Sequence, residues 1–90
     1  MYNWGIIGTG WIAHEMGEAL NRKGHGIYGV VSGRYENALS YQKEFEVKHI
    51  YHTIDEMLED SNIDIVYIAT PHNLHYEQMM KALDAGNMCL

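Results

Sequence analysis

The sequence is poor in the residues that mark disulfide-bonded, nucleic-acid-binding or membrane-spanning proteins. Its single cysteine, Cys89, excludes an internal disulfide and fits a reducing compartment. Lysine and arginine number six against twelve aspartates and glutamates, and the net charge of −6 argues against a nucleic acid or an acidic membrane surface as partner. Glycines at positions 5, 8 and 10 interrupt the apolar N-terminal stretch, so we expect neither a signal peptide nor a transmembrane segment. These features together predict a cytoplasmic protein.

The length of the chain limits how much core it can form. Ninety residues, 47% of them hydrophobic, are enough for one small domain with one core. A chain of this size buries roughly 60 to 65% of the surface that its unfolded form exposes, so a partner domain or subunit would add stability. We therefore expect residues 1–90 to form a single domain.

Strand-like and helix-like segments alternate along the chain. Short apolar or β-branched segments predict strands at residues 3–7, 27–31, 47–51, 63–69 and 87–90. Apolar residues at helical spacing predict helices at residues 11–22, 37–46 and 73–85, and a short helix that begins at Thr53. Such alternation implies right-handed β-α-β units, so the predicted fold is α/β, a Rossmann-like doubly wound parallel sheet of about five strands.

Each predicted helix has an apolar face that should pack on the sheet. In chain order, these faces consist of Ile12, Met16, Ala19 and Leu20; of Ala38, Tyr41 and Phe45; of Ile54, Met57 and Leu58; and of Tyr76, Met79, Met80 and Leu83. The third helix also has a capping box, in which the Thr53 hydroxyl accepts from the Glu56 N–H and the Glu56 side chain reaches back. Gly86 occupies the C-cap position of the fourth helix.

A glycine-rich segment joins the first predicted strand to the first predicted helix. Gly8 would allow a sharp turn, Gly10 would admit a phosphate group without a Cβ in the way, and Ala13 would pack the helix against the strand. The first N–H groups of the helix would then point at the bound anion. In this setting the Gly-x-Gly-x-x-Ala pattern predicts a dinucleotide-binding turn. Its candidate cofactor-binding residues are Gly8, Thr9, Gly10, Trp11 and Ile12.

The end of the second predicted strand bears on the choice of cofactor. NAD-binding proteins commonly have an acidic side chain there, about twenty residues past the glycines, for the ribose hydroxyls. This chain has Ser32 instead. The Ser32 hydroxyl, the Gly33 N–H and the Arg34 guanidinium would form a site for the 2′-phosphate of NADP, which makes NAD the less favoured cofactor. In the alternative interpretation these residues form an ordinary turn followed by a solvated arginine.

A third loop should meet the first two. Ligands of such sheets bind beyond the carboxyl ends of the strands, where the strand order reverses. This rule brings residues 8–10, 32–34 and 70–72 around one crevice and adds Thr70, Pro71 and His72 to the candidate cofactor-binding residues. We expect His72 to face the crevice and His75 to cap or anchor the following helix.

Two histidine pairs raise the question of a metal site. His49 and His52 are three residues apart, as are His72 and His75. No cysteine or carboxylate cluster accompanies either pair in the sequence, and metal sites in proteins usually need three or four such ligands. No metal is therefore predicted.

These motifs resemble the N-terminal domain of the glucose-fructose oxidoreductase, inositol dehydrogenase and rhizopine-catabolism family of NAD(P)-dependent oxidoreductases. Residues 5–13 look like the opening fingerprint of that family, and residues 64–75 look like its more specific fourth-strand signature. Residues 82–86 fit the helix end that leads into the fifth strand. The resemblance implies that the loop from Thr70 to His75 contacts the nicotinamide side, and that Ser32 and Arg34 go with NADP.

The resemblance also implies chemistry that this sequence does not contain. The family continues with a Glu-Lys-Pro motif, whose lysine is catalytic, and with a second α/β domain, whereas the sequence here ends at Leu90. We therefore expect a truncated dinucleotide-binding domain, incomplete at its C-terminal end, from an enzyme that transfers hydride between NAD(P) and a sugar-like or cyclic polyol substrate. The chain itself would bind cofactor without turnover and hold no catalytic residue.

The alternative interpretation is a non-catalytic nucleotide-binding or self-associating module. The predicted strand at residues 87–90 would be an edge with unpaired backbone groups. Either interpretation therefore predicts a homo-oligomer.

Overall fold

The computed structural model describes residues 2–70, 72–86 and 88–89, and for residues 72–76, 88 and 89 it describes the backbone. Strands and helices alternate throughout, as the sequence predicts. The strands are β1 (Trp4–Ile7), β2 (Ile27–Val31), β3 (His49–Tyr51), β4 (Ile65–Ile68) and β5 (Met88–Cys89). The helices are α1 (Trp11–Arg22), α2 (Tyr35–Phe45), α3 (Ile54–Leu58) and α4 (His72–Asp84). None of the described helices is long and apolar enough to cross a membrane.

The five strands form one parallel sheet in the order β3-β2-β1-β4-β5. The chain builds outward from β1 to β2 and β3, then crosses back to place β4 and β5 on the other side of β1. The strand order therefore reverses between β1 and β4, which is where a sheet of this kind has its ligand crevice. The predicted Rossmann-like α/β fold is confirmed.

The core consists of two clusters on opposite faces of the sheet. Ile6 and Val30 pack with α1 and α2, whereas their strand neighbours Ile7 and Val31 pack with α3 and α4. This division follows from the period of two in a strand, which sends successive side chains to opposite faces. β1, β2 and β4 are accordingly buried on both faces.

β3 and β4 each begin two residues after their predicted starts, because neighbouring turns take the backbone groups of those residues. Glu46 has a φ of 55° and ends α2, and the Val47 N–H donates to the Gln42 carbonyl at 3.2 Å. Val47 therefore closes a helix, and β3 begins at His49. Before β4, the Ile63 N–H donates to the Asp60 carbonyl at 3.2 Å, so residue 63 belongs to a turn.

The predicted face of α1 is wrong by a small rotation. Ala13, Gly17 and Leu20 are its buried residues, while Ile12 is 49% exposed. The cause is the close approach of α2: a Cβ added at Gly17 would lie 2.9 Å from atoms of the α2 side chains Phe45 and Tyr41. Small residues rather than large apolar ones therefore define this contact.

The predicted face of α4 is wrong in a similar way. Gln78 and Ala82 are buried and Met79 is partly buried, while Met80 is 41% and Leu83 50% exposed. The side chain of Tyr76, which was also expected on this face, lies outside the described part of the chain. The sequence pattern missed the face because its centre is occupied by a polar residue and an alanine.

The predicted buried face of α2 and the predicted helix caps agree with the structure, although α2 begins two residues before its predicted start. The buried face of α2 consists of Ala38, Tyr41 and Phe45, as expected. The Thr53 hydroxyl accepts from the Glu56 N–H at 3.0 Å, although the Glu56 carboxylate returns to the N–H of His52 rather than to that of Thr53. Gly86 follows α4 with a φ of 85°, which is the left-handed conformation expected after a helix end.

Candidate cofactor site

The turn after β1 depends on glycine at position 8. Gly8 has a φ of 101°, and a Cβ added there would lie 2.8 Å from the carbonyl oxygen of Ala69. Its N–H donates to the Val31 carbonyl at 2.8 Å, so the turn lies between the ends of β2 and β4. The predicted sharp turn is confirmed, and the fold itself requires this glycine.

Gly10 differs from Gly8 because nothing in the fold requires a glycine there. Its φ of −71° and ψ of −173° are accessible to any residue, and no heavy atom lies within 4 Å of a Cβ added to it. Gly10 is the N-cap of α1, which has no side-chain cap and no acidic residue in its first turn. The N–H groups of that turn are thus accessible to an anionic ligand.

A cleft of about 490 Å³ lies beyond the carboxyl ends of four strands. Six of the predicted cofactor-binding residues line it: Gly8, Thr9, Gly10, Ser32, Gly33 and Thr70. The remaining lining residues are Ile7, Val31, His52, Thr53, Ile54, Ala69 and Gln78. The three predicted loops therefore meet around one cleft, and the loop after β3 is a fourth wall that the sequence analysis did not include.

The other predicted site residues do not line this cleft or have side chains outside the described part of the chain. Trp11 is 71% exposed and, like Ile12, projects its side chain from the first turn of α1. Arg34 is the exposed N-cap residue of α2. Pro71 lies outside the described residues, as do the side chains of His72 and His75, whose backbones belong to the first turn of α4.

Hydroxyl groups connect two walls of the cleft. The Thr9 and Ser32 hydroxyl oxygens are 3.1 Å apart, and the Arg34 N–H donates to the Ser32 hydroxyl at 3.4 Å. On the opposite wall, the Thr70 hydroxyl donates to Oε1 of Gln78. Gln78 is therefore held against the cleft by Thr70, which lies in the loop after β4.

The loop after β3 adds an aromatic wall. The ring of His52 stacks on that of Tyr35, with ring centroids 4.4 Å apart and planes inclined by 10°. The rule that ligands bind at the carboxyl ends of parallel strands could have found this loop, because it applies to β3 as it does to β1, β2 and β4. Gln78 gave no such signal, because it lies inside a helix.

The lining of the cleft is largely apolar, with hydroxyl and amide groups among it. None of the described lining residues is an aspartate, glutamate, lysine or arginine. A bound anion would be held by backbone N–H groups, hydroxyl groups and the positive end of α1, with Arg34 on the adjacent loop.

The side chains with clearly shifted pKa values lie outside the cleft. Burial, with a smaller contribution from the negative charge of Glu44, raises the pKa of Tyr41, whose hydroxyl donates to the Ala13 carbonyl at 2.7 Å. Burial and the hydrogen bond to Asp60 raise the pKa of Tyr51. The same bond, with one from the Asn62 N–H, holds the pKa of Asp60 below its usual value. These groups stabilise the fold around the cleft.

The two histidines of the first pair, His49 and His52, have aromatic partners. His49 lies 4.9 Å from the Tyr28 ring, measured between ring centroids, and His52 lies on Tyr35. Within the described residues, no three His, Cys, Asp or Glu side chains come together as a metal site would need.

Comparison with known proteins gives a consistent result. Residues 2–90 match the model of a family described as an oxidoreductase family with an NAD-binding Rossmann fold. The oxidoreductase YgjR of Escherichia coli (strain K12) is 35% identical over 87% of this chain. The D-xylose 1-dehydrogenase (NADP(+)) of Hypocrea jecorina is 36% identical over 97% of it. The chain spans about a quarter of the length of these curated relatives, 24% and 26% respectively.

The fold is also that of solved enzymes. The crystal structure of myo-inositol dehydrogenase from Lactobacillus casei, in complex with NAD(H) and myo-inositol, superposes with a TM-score of 0.92. The match covers 99% of this chain and 27% of that protein, at 24% sequence identity. At this identity the likeness shows a shared fold.

Proposed function

Because the chain belongs to the glucose-fructose oxidoreductase, inositol dehydrogenase and rhizopine-catabolism family through its NAD-binding Rossmann fold, we propose that the cleft binds a nicotinamide dinucleotide. The observation that carries the proposal is Gly10. It faces open space at the N-terminus of α1, in a conformation that does not need glycine. A missing Cβ at this point suits a pyrophosphate that lies against the backbone.

The preferred cofactor in this proposal is NADP. Ser32 lines the cleft at the end of β2, where an acidic residue would select NAD. Its hydroxyl, the Gly33 N–H and the nearby Arg34 would hold a 2′-phosphate, since all three are hydrogen-bond donors. The similar proteins include a dehydrogenase named for NADP(+) and one solved in complex with NAD(H), so membership of the family does not decide the point.

The proposed role of the whole protein is hydride transfer between NAD(P) and a sugar-like or cyclic polyol substrate. The nicotinamide ring would accept or give the hydride, and these ninety residues would bind and orient it without turnover of their own. By the resemblance, the catalytic lysine and the groups that remove the proton are not among these ninety residues. The substrate class is supported by the relatives named for D-xylose and myo-inositol.

Self-association is a separate part of the proposal. β3 and β5 are the edges of the described sheet, and Met80 and Leu83 are exposed on α4 beside β5. Unpaired strand edges and exposed apolar side chains both favour pairing with another copy. Sedimentation velocity at increasing concentration should show a dimer or larger species, and a monomer at all concentrations would contradict this.

The binding test is a titration of the chain with NADPH and with NADH, followed by nicotinamide fluorescence. Gly10→Val should weaken NADPH binding by about tenfold or more, because its side chain would occupy the space of the pyrophosphate. The matched control is Gly26→Val, since Gly26 also has nothing within 4 Å of an added Cβ but lies outside the cleft. If neither nucleotide binds, or if both variants bind equally, the proposal is wrong.

A further inference from the structure

Gln78 is a polar side chain in an unusual place. It is 8% exposed, and among the described residues it is the one polar or charged side chain that is buried. It lies on the face of α4 that packs on the sheet, together with Ala82. An apolar residue would fill such a position without the cost of burying an amide.

The surroundings of Gln78 place it next to the glycine turn. Its Oε1 accepts a hydrogen bond from the Thr70 hydroxyl, and both residues line the cleft. The Thr70 methyl carbon lies 3.2 Å from the position of a Cβ added at Gly8. The pair is therefore adjacent to the turn, at the reversal point between β1 and β4.

The hydrogen-bonding capacity of the pair indicates what it can recognise. Because Oε1 is engaged by Thr70, the carboxamide is oriented and offers Nε2, which has two hydrogens and no capacity to accept. The chemical partner of such a group is an oxygen with lone pairs. A phosphate or ribose oxygen near the glycine turn meets this requirement.

We propose that Gln78 is a binding residue of the cleft, whose Nε2 donates to an oxygen of the phosphoribosyl group in the nicotinamide half of the dinucleotide, with Thr70 as its positioning residue. The inference rests on the proposed function and assigns one half of the ligand to this wall. Ser32 follows β2, and β2 lies on the other side of β1 from β4, which Thr70 follows. A dinucleotide with its adenosine 2′-phosphate at Ser32 would therefore place its nicotinamide half at the Gln78 wall.

The test is Gln78→Glu, which keeps the shape of the side chain and an oxygen for Thr70. At pH 8 it replaces the donor with a carboxylate, so NADPH binding should weaken by about tenfold or more. At pH 5 the affinity should recover toward that of the unchanged chain, because a buried carboxyl has a raised pKa and its neutral form can donate. The unchanged chain should show no such gain at pH 5, because the 2′-phosphate, with a second pKa of about 6, loses negative charge as the pH falls.

A matched control and a second variant separate binding from folding. Gln42→Glu makes the same chemical change at a partly buried glutamine outside the cleft, and it should leave NADPH affinity unchanged. Thr70→Val should weaken binding by less than Gln78→Glu, and Thr70→Ser should restore it. Thermal denaturation of each variant identifies loss of the fold, and if Gln78→Glu unfolds, the Thr70 series decides the matter.

The outcomes distinguish the inference from the function on which it rests. No binding of NADPH or NADH by the unchanged chain overturns both. Binding by the unchanged chain with no effect of Gln78→Glu at pH 8 overturns the inference alone. Competition with nicotinamide mononucleotide and with 2′,5′-ADP shows which half of the dinucleotide Gln78 contacts. Gln78→Glu should lose affinity for nicotinamide mononucleotide and keep its affinity for 2′,5′-ADP. An equal loss for both ligands would contradict the assignment.

Discussion

The hydroxyl of Thr9, in the glycine turn, lies 3.1 Å from the hydroxyl of Ser32, at the end of β2. The Ser32 oxygen also accepts from the Arg34 N–H at 3.4 Å. If Thr9 is the donor of the pair, both acceptor sites of Ser32 are occupied and its own hydrogen points elsewhere. Ser32 is then a donor toward the cleft, which suits a phosphate oxygen better than a ribose hydroxyl.

This arrangement predicts that Thr9 affects the choice between the two cofactors. Thr9→Val keeps the branched shape and removes the hydroxyl, so NADPH affinity should fall by about three- to tenfold, the value of one hydrogen bond. NADH affinity should change by less than about twofold. Fluorescence titration measures both, with Thr9→Ser as the control that retains the bond. A parallel loss for NADPH and NADH would show that Thr9 shapes the turn without selecting the cofactor.

Arg34 gives a second prediction about the 2′-phosphate. Its side chain is exposed and does not line the cleft, so it must swing inward to reach the phosphate. Arg34→Gln should reduce NADPH affinity by about tenfold or less, since an exposed charge pair is weakened by solvent, and the loss should shrink as salt is raised. Arg22→Gln, at the exposed end of α1, should have no effect. Equal affinities for both variants would support the interpretation of Arg34 as an ordinary solvated arginine.

The architecture could be predicted from the sequence because each strand has a local signal, a short apolar segment bounded by turn residues. Residues 27–31, for example, are mostly apolar and lie between Gly26 and the turn-prone residues 32–34, and their predicted ends match the structure. The helix faces were harder to predict, because α1 packs through Ala13 and Gly17 and α4 through Gln78 and Ala82. Small or polar residues at a contact carry no hydrophobic signal, and tertiary packing decides which of them is buried.

The candidate site likewise has parts that the sequence predicts and parts that only the tertiary structure shows. The three predicted loops meet in one cleft because the carboxyl ends of parallel strands share an edge of the sheet. The sequence analysis missed Gln78 because it lies inside α4 and not in a loop after a strand. The residues around it in the sequence form no motif that indicates a binding site. The exposed position of Arg34, outside the lining of the cleft, likewise depends on where α2 begins, at Tyr35, two residues before the predicted start.

The two glycines of the turn should differ in their effect on stability. Gly8→Ala puts a Cβ against the Ala69 carbonyl at a φ of 101°, which should cost about 2 to 4 kcal/mol in free energy of unfolding. For a domain of this size, that lowers Tm by about 10 to 20 °C. Gly10→Ala has neither problem and should stay within about 0.5 kcal/mol of the unchanged chain. Calorimetry of both variants tests the contrast, and similar Tm values for the two would contradict it.

The bond from the Tyr51 hydroxyl to the Asp60 carboxylate, 2.5 Å long, should make stability depend on pH. Because this bond holds the folded-state pKa of Asp60 below its unfolded value, its contribution is present at neutral pH and lost as pH falls through that lowered pKa. Tyr51→Phe should therefore cost about 1 kcal/mol in free energy of unfolding at pH 7, since Asp60 is only partly buried, and less below pH of about 4. Burial and the same bond raise the pKa of Tyr51, so the difference should also shrink above pH of about 10, where the unfolded tyrosine ionises.

Tyr28→Phe is the control for this experiment, because Tyr28 is a partly buried tyrosine whose ring lies against His49. Urea denaturation between pH 3 and pH 10.5 measures each difference from the unchanged chain. Removing the Tyr51 hydroxyl should give a difference that is largest near neutral pH and declines on both sides, whereas removing that of Tyr28 should give a flat one. A flat difference for Tyr51→Phe as well would mean that the bond to Asp60 does not link protonation to folding, and that Tyr51 stabilises β3 through the packing of its ring alone.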